Sequence, residues 1–134
     1  MSKVFEELEN EAGEVIRYRK HPNGRGRVSA GAIVDPSAFI DSSAYVEKDA
    51  RVERGVSIGS GSWVDVGAFV GAATSIGANV HVGRGAQVGR GCQIGSDSKI
   101  AENVVIADGT RVHRDSRVRG DVAPRGRKGW ARAA

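Results

Sequence analysis

Every sixth residue from Val28 to Val118 is Val or Ile, sixteen positions without an interruption. Self-similarity at a fixed short period marks a solenoid, in which each unit buries its apolar residue only by stacking on its neighbours. Three residues after the aliphatic, most units carry Gly, Asn or Asp, as at Gly31, Asp49, Gly61, Asn79, Gly91, Asp97, Asn103 and Asp121. These residues tolerate a left-handed backbone, so the pattern predicts a corner there. Four residues after the aliphatic stands a small side chain or Val, as at Ala38, Ala44, Ser62, Thr74, Cys92 and Val104. One branched and one small inward residue per unit suit the narrow interior of a triangular coil. The expected fold is therefore all-β, with three short strands per 18-residue coil. About five coils stacked at a strand spacing of roughly 4.8 Å make a prism about 25 Å long.

Residues 18 apart fall on one outer column. The first column runs Tyr45, Trp63, His81, Lys99 and Arg117, flanked by Glu47, Asp65, Gly83, Ala101 and Arg119. The second runs Ile33, Arg51, Phe69, Gln87 and Val105, and the third Phe39, Ser57, Ser75, Gln93 and Arg111. Gly71 and Gly89 flank the second column and Gly59, Gly77 and Gly95 the third, which suggests close approach of another backbone on those two faces.

Units such as Ile58-Gly59-Ser60-Gly61-Ser62-Trp63 and Val88-Gly89-Arg90-Gly91-Cys92-Gln93 resemble the repeat of the hexapeptide-repeat superfamily. The resemblance extends over residues 28 to 123. It implies a left-handed parallel β-helix and, as a partner, the chain itself in a homotrimer, with the glycine-bearing faces at the trimer axis. The superfamily includes acyltransferases, γ-class carbonic anhydrases and noncatalytic members, so fold alone does not settle function.

The flanks break the period. Residues 1–27 read as an N-terminal cap: Val4, Phe5 and Leu8 among glutamates over residues 2–12 suggest a short amphipathic helix stopped at Gly13, followed by a strand over Val15–Arg19 and a turn at His21-Pro22-Asn23-Gly24. Such a cap would cover a bare strand edge. Residues 124–134 read as a basic C-terminal tail holding Arg125, Arg127, Lys128 and Arg132. With 134 residues, 19 Gly and 3 Phe, the chain reads as one domain with a core of Val, Ile and Ala. The single cysteine, Cys92, falls in the small inward column and reads as core. An acidic N-terminus without an apolar run gives cytoplasmic as the expected location and no membrane partner.

Charge is unevenly spread. Residues 1–67 hold 9 basic and 11 acidic side chains, residues 68–134 hold 11 and 5. Arg111, Arg114, Arg117 and Arg119 crowd into one stretch, with Arg84 earlier on the coil. A cationic end suits an anionic small molecule or an acidic protein surface; nucleic acid is disfavoured, since the tail holds one aromatic and no recognised binding module.

Catalytic chemistry was sought in two registers. The zinc site of the carbonic anhydrases requires three converging histidines, whereas here only His113 matches, with Asp108 and Ala72 at the other two positions. No metal is expected. The acyltransferases use a histidine base at a subunit interface, for which His81 is the repeat-borne candidate in a middle coil. Two readings follow. The preferred one is a homotrimeric binding or assembly module without cofactor or catalytic residue, its ligand held by Tyr45, Trp63, His81, Arg84, Arg111, Arg114, Arg117 and Arg119. The alternative is an acyl-CoA-dependent acyltransferase with His81 as base. The metal expectation is checked by elemental analysis of the purified protein: one zinc per subunit, lost in His113→Ala, is the contrary result.

Overall fold

The computed structural model describes residues 5–9 and 12–124, and among these there is no helix. Three longer strands open the chain: β1 (Phe5–Glu9), β2 (Val15–Lys20) and β3 (Arg27–Ser29). Two-residue strands then recur every six residues: β4 (Ile33–Val34), β5 (Phe39–Ile40), β6 (Tyr45–Val46), β7 (Arg51–Val52), β8 (Ser57–Ile58), β9 (Trp63–Val64), β10 (Phe69–Val70), β11 (Ser75–Ile76), β12 (His81–Val82), β13 (Gln87–Val88), β14 (Gln93–Ile94), β15 (Lys99–Ile100), β16 (Val105–Ile106), β17 (Arg111–Val112) and β18 (Arg117–Val118). Each pairs in parallel with the strand 18 residues away, Val82 facing both Val64 and Ile100. The result is a parallel β-solenoid of three sheets. One has eight strands in the order β1-β2-β3-β6-β9-β12-β15-β18; the other two have five, β4-β7-β10-β13-β16 and β5-β8-β11-β14-β17. These sheets carry the first, second and third outer columns respectively.

The sixteen aliphatics are all buried inside, packed with the small column of Ala32, Ala38, Ala44, Ala50, Ala68, Ala86 and Cys92. Where that small column is polar, the hydroxyls join coils. Ser62 Oγ donates to the Gly77 carbonyl at 2.6 Å and accepts from the Val80 N–H at 3.0 Å. Thr74 Oγ1 likewise donates to the Gly89 carbonyl at 2.7 Å and accepts from the Cys92 N–H at 3.1 Å. A buried hydroxyl costs free energy unless it is satisfied, and among the described residues no buried side-chain N or O lacks a partner. Cys92 is fully enclosed, and burial pushes its thiol pKa up, which fits core rather than reactive chemistry.

Most corners take the left-handed backbone that the sequence predicts, including Asp49, Gly61, Asn79, Gly91, Asp97 and Asn103. Gly31 and Asp121 do not. Both sit where the repeat meets other structure: Ala30 N–H beside Gly31 donates to Arg17 of β2, and the Asp121 side chain accepts from the Val105 N–H. One corner uses Ala73, with φ of 60°, where no glycine or asparagine is present.

Two expectations are corrected. The N-terminal helix is instead strand β1, antiparallel to β2 with Leu8 opposite Ile16 and Glu7 opposite Arg17. A helix of about eleven residues is marginal in water, whereas a strand gains a full hydrogen-bond ladder against the open edge of β2. The cap is completed by the turn after β2: His21 is buried with Nε2 2.8 Å from the Ala38 carbonyl, the Ile40 backbone crowds Gly24, and the Ile40 side chain and Asp41 carbonyl crowd Gly26, leaving no room for a side chain at either. The second correction concerns the glycines of the second and third faces. The backbone that approaches them is the chain's own next coil. A Cβ on Gly77 would lie 2.6 Å from Ser96 Oγ and 2.8 Å from Ser96 N; one on Gly89 would lie 2.6 Å from Asp108 N. These glycines serve coil stacking, which accounts for them without a neighbouring subunit.

Three stability measurements follow. Ile76→Ala should cost roughly 2–5 kcal/mol, since Ile58 and Ile94 enclose it from both sides, and Val118→Ala clearly less, with only Ile100 beside it. Ala73→Gly should raise stability by about 0.5–1 kcal/mol by relieving a left-handed alanine. Gly77→Ala should destabilise the fold whatever the oligomeric state. Denaturant titration of the variants reads all of these.

Candidate functional site

The first face gathers the chain's most varied side chains, Tyr45, Trp63, His81, Lys99 and Arg117 in one column. His81, on β12, is flanked by two coil neighbours in register, Trp63 on β9 and Lys99 on β15. Its ring stacks on the Trp63 indole with centroids 4.3 Å apart and planes 10° from parallel. Its Nε2 lies 2.9 Å from Asp65 Oδ2, and the His81 side chain is 35% exposed against 19% for Asp65. An ionised carboxylate only accepts, so Nε2 is the donor in this contact, and in the neutral ring the lone pair is then on Nδ1. An imidazole oriented by a carboxylate, with one nitrogen left for a proton, is the arrangement of a general base.

The stack is braced from below. Trp63 Nε1 donates to Glu47 Oε2 at 2.7 Å, and the Tyr18 hydroxyl donates to Glu47 Oε1 at 2.7 Å. Tyr18 in turn meets Tyr45 edge to face at 5.4 Å, and the Arg27 guanidinium lies 5.3 Å from the Tyr45 ring centre. Buried and donating to a carboxylate, Tyr18 has its phenol pKa raised well above the ordinary value, with desolvation the larger cause and Glu47 the second. The cap strand β2 is thus tied, through Glu47 and Trp63, to the face of the histidine.

Beyond His81 the face becomes a cationic groove. Gly83 and Ala101 line it together with Lys99, Arg117 and Arg119, three cations against the single carboxylate of Glu102. Lys99 and Arg117 are register partners on adjacent strands, and none of the three cations has an ion-pair partner among the described residues. Like charges at adjacent strand positions repel, so the ladder favours an anion between or beside them.

Of the eight residues expected to bind a ligand, the structure brings together Tyr45, Trp63, His81, Arg117 and Arg119 on this face. The other three are elsewhere. Arg84 occupies the corner after β12 and opens on a different groove beside Lys48 and Asp49; Arg111 lies on the third face, donating to Gln93 Oε1 at 3.1 Å; Arg114 sits on the edge between them, 3.8 Å from Asp115. Sequence reading missed Asp65, Glu47 and Tyr18 as parts of the site. Asp65 and Glu47 are two residues beyond the column, so each meets the column residue of the coil above, sixteen positions later; that offset is legible once the coil length is known. Tyr18 lies outside the repeat, where no spacing rule applies.

Among the described residues no three His, Cys, Asp or Glu side chains could together hold a metal ion, and no helix is long and apolar enough to cross a membrane.

Comparison with known proteins agrees with the geometry. The family described as bacterial transferase hexapeptide (six repeats) matches residues 63–102 and 85–120. The matched stretch consists of hexapeptide repeats, and the fold they build is a parallel β-solenoid. Among solved structures it is similar to the acetyltransferase domain of PglB from Neisseria gonorrhoeae FA1090 in complex with acetyl coenzyme A, at 23% identity and TM-score 0.56, covering 80% of this chain and 56% of that one. It is also similar to an AntD mutant, an N-acyltransferase from Bacillus cereus in complex with a dTDP-amino sugar and coenzyme A, at 18% identity and TM-score 0.58, covering 71% and 70%. A third is serine acetyltransferase isoform 3 from Entamoeba histolytica in complex with cysteine, at 23% identity and TM-score 0.59, covering 72% and 37%. No curated protein matches the sequence. At these identities the likeness is one of fold, and the chain spans little more than half the length of the PglB domain.

The raised Tyr18 pKa has a pH consequence. A group whose folded pKa lies above its unfolded value contributes stability below the unfolded value, about 10 for tyrosine, and loses it as pH rises towards the folded one. Thermal stability should therefore fall above about pH 10 more steeply in the wild type than in Tyr18→Phe, as melting curves across that range will show.

Proposed function

We propose that the protein is an acyltransferase that moves an acyl group from acyl-CoA to an amine or hydroxyl, with His81 as general base. The observation that carries this is the Asp65–His81 pair at the rim of a groove walled by Lys99, Arg117 and Arg119. Chemically, the histidine takes the acceptor's proton as the acceptor attacks the thioester carbonyl; the carbon–sulfur bond then breaks, and the departing thiolate takes up a proton. Asp65 holds the ring and stabilises the imidazolium. The three cations match the phosphates of the donor. Support from relatives is of the same kind: several solved neighbours are acetyltransferases, some with coenzyme A bound. This exchanges the order of the two readings drawn from the sequence, because the carboxylate partner of His81 was not recognised there.

The binding-module reading keeps one specific support, the unpaired Lys99–Arg117 ladder, which would hold an anionic ligand whether or not chemistry follows. We also propose that the working unit is a homotrimer. With the glycines assigned to coil stacking, the remaining support is apolar: Ile33 is 59% and Val105 42% exposed on the second face, with Phe69 between them and Phe39 exposed on the third. A neighbour packed there would lie one prism edge from His81.

The test is thioester consumption, followed as free thiol release from acetyl-CoA with a panel of amine and hydroxyl acceptors. His81→Asn should lose at least about 100-fold in rate with the fold intact, the ordinary contribution of a general base. Asp65→Asn should fall in kcat with little change in KM. Tight coenzyme A binding without turnover by any acceptor would return the protein to the binding-module reading. Sedimentation of wild type and Ile33→Asp/Val105→Asp decides the trimer.

A further inference from the structure

Among the described residues, the eight-stranded sheet ends in two strands that have a neighbour on one side only. At one end of the prism is β1, at the other β18. Along the face between them, each coil donates hydrogen bonds onward to the next: Trp63 N–H to Val80, His81 N–H to Ser98, Lys99 N–H to Ser116. Among the described residues Arg117 has no further coil to receive its N–H. An edge of this kind is a template for another strand.

Charge decides which strand fits. The terminal stretch around β18 carries Arg111, Arg114, Arg117 and Arg119 against two acids, Asp115 and Asp121. The β1 strand, Phe-Glu-Glu-Leu-Glu, carries three glutamates and no base. Pairing β18 with β18 would bring two arginine clusters together, and pairing β1 with β1 would do the same for glutamates. Only β18 against β1 joins opposite signs. Strand direction agrees: β1 is antiparallel to β2 and β2 to β3, so β1 runs parallel to β3 and hence to β18. A second copy displaced along the prism axis therefore continues the parallel ladder without reversal.

We infer that copies of this chain associate head to tail, the β18 edge of one receiving β1 of the next. The contact joins two different surfaces of the same chain, so it does not close on itself, and it generates an open row of prisms. Eight strands at about 4.8 Å set the axial repeat at roughly 38 Å. The inference rests on the ends of the sheet and needs neither His81 nor Asp65, although Arg117 and Arg119 also line the groove assigned above to the donor.

The experiment uses the full chain. In about 0.01 M salt, where charges act over about 30 Å, sedimentation should show elongated species, and negative-stain microscopy rows with the 38 Å repeat; in about 1 M salt, where they act over about 3 Å, the rows should shorten. Two charge variants follow, with folding checked by circular dichroism. Arg117→Glu/Arg119→Glu is acidic at both ends, and Glu6→Lys/Glu7→Lys/Glu9→Lys is basic at both. Each alone should fail to form rows, and an equimolar mixture should restore them as an alternating array. Association indifferent to both variants, or absent from wild type at low salt, would overturn the inference.

Discussion

Everything here depends on one constraint: a turn of the chain must consume 18 residues, no more and no fewer. Two-residue strands are far too short to hold a sheet by themselves. They hold because each meets identical strands above and below in exact register, Ile58, Ile76 and Ile94 forming one continuous inner row. Stability is then a sum over nearest neighbours, and one inserted residue would turn the following column inside out. That accounts for sixteen aliphatics without a slip, for hydroxyls such as Ser62 and Thr74 spent on joining coils, and for glycines at places where the next coil's backbone passes within reach of a Cβ.

The same constraint turns sequence separation into spatial adjacency, and so makes part of the site legible. Trp63, His81 and Lys99 are neighbours because they are 18 apart. Asp65 reaches His81 because the pleat places a residue two steps beyond the column beside the next coil's column residue. The residue types are in plain view; the direction in which the histidine ring leans is not, and it is that lean towards Asp65 at 2.9 Å that separates a merely stacked histidine from one held by a carboxylate. Glycine shows the opposite limit. A glycine column signals close approach, yet composition alone does not say whether the approaching backbone belongs to another subunit or to the next coil.

Outside the period the sequence is less informative, for a physical reason. Within the repeat sixteen copies agree, so each position is read many times. The first 27 residues are read once. Glutamates interspersed with Phe5 and Leu8 fit a helix face about as well as a strand, and the choice is made by β2, whose open edge rewards a ladder partner. Tyr18, which links that cap to Glu47, belongs to the same single-copy region.

The capped end is more than a lid. Because Tyr18 and Trp63 both donate to Glu47, and Trp63 lies flat against His81, the orientation of the His81 ring is set jointly by its own coil, the two coils below and a strand from outside the repeat. A solenoid alone offers a flat, repetitive wall whose side chains have few lateral neighbours. Chemistry on such a wall requires something to break the repetition. No loop is thrown out from a coil to do so, since the coils run uninterrupted from β3 to β18. The asymmetry comes instead from the cap at one end and the arginines at the other. The histidine stands between them, braced on the acidic side and open on the basic one.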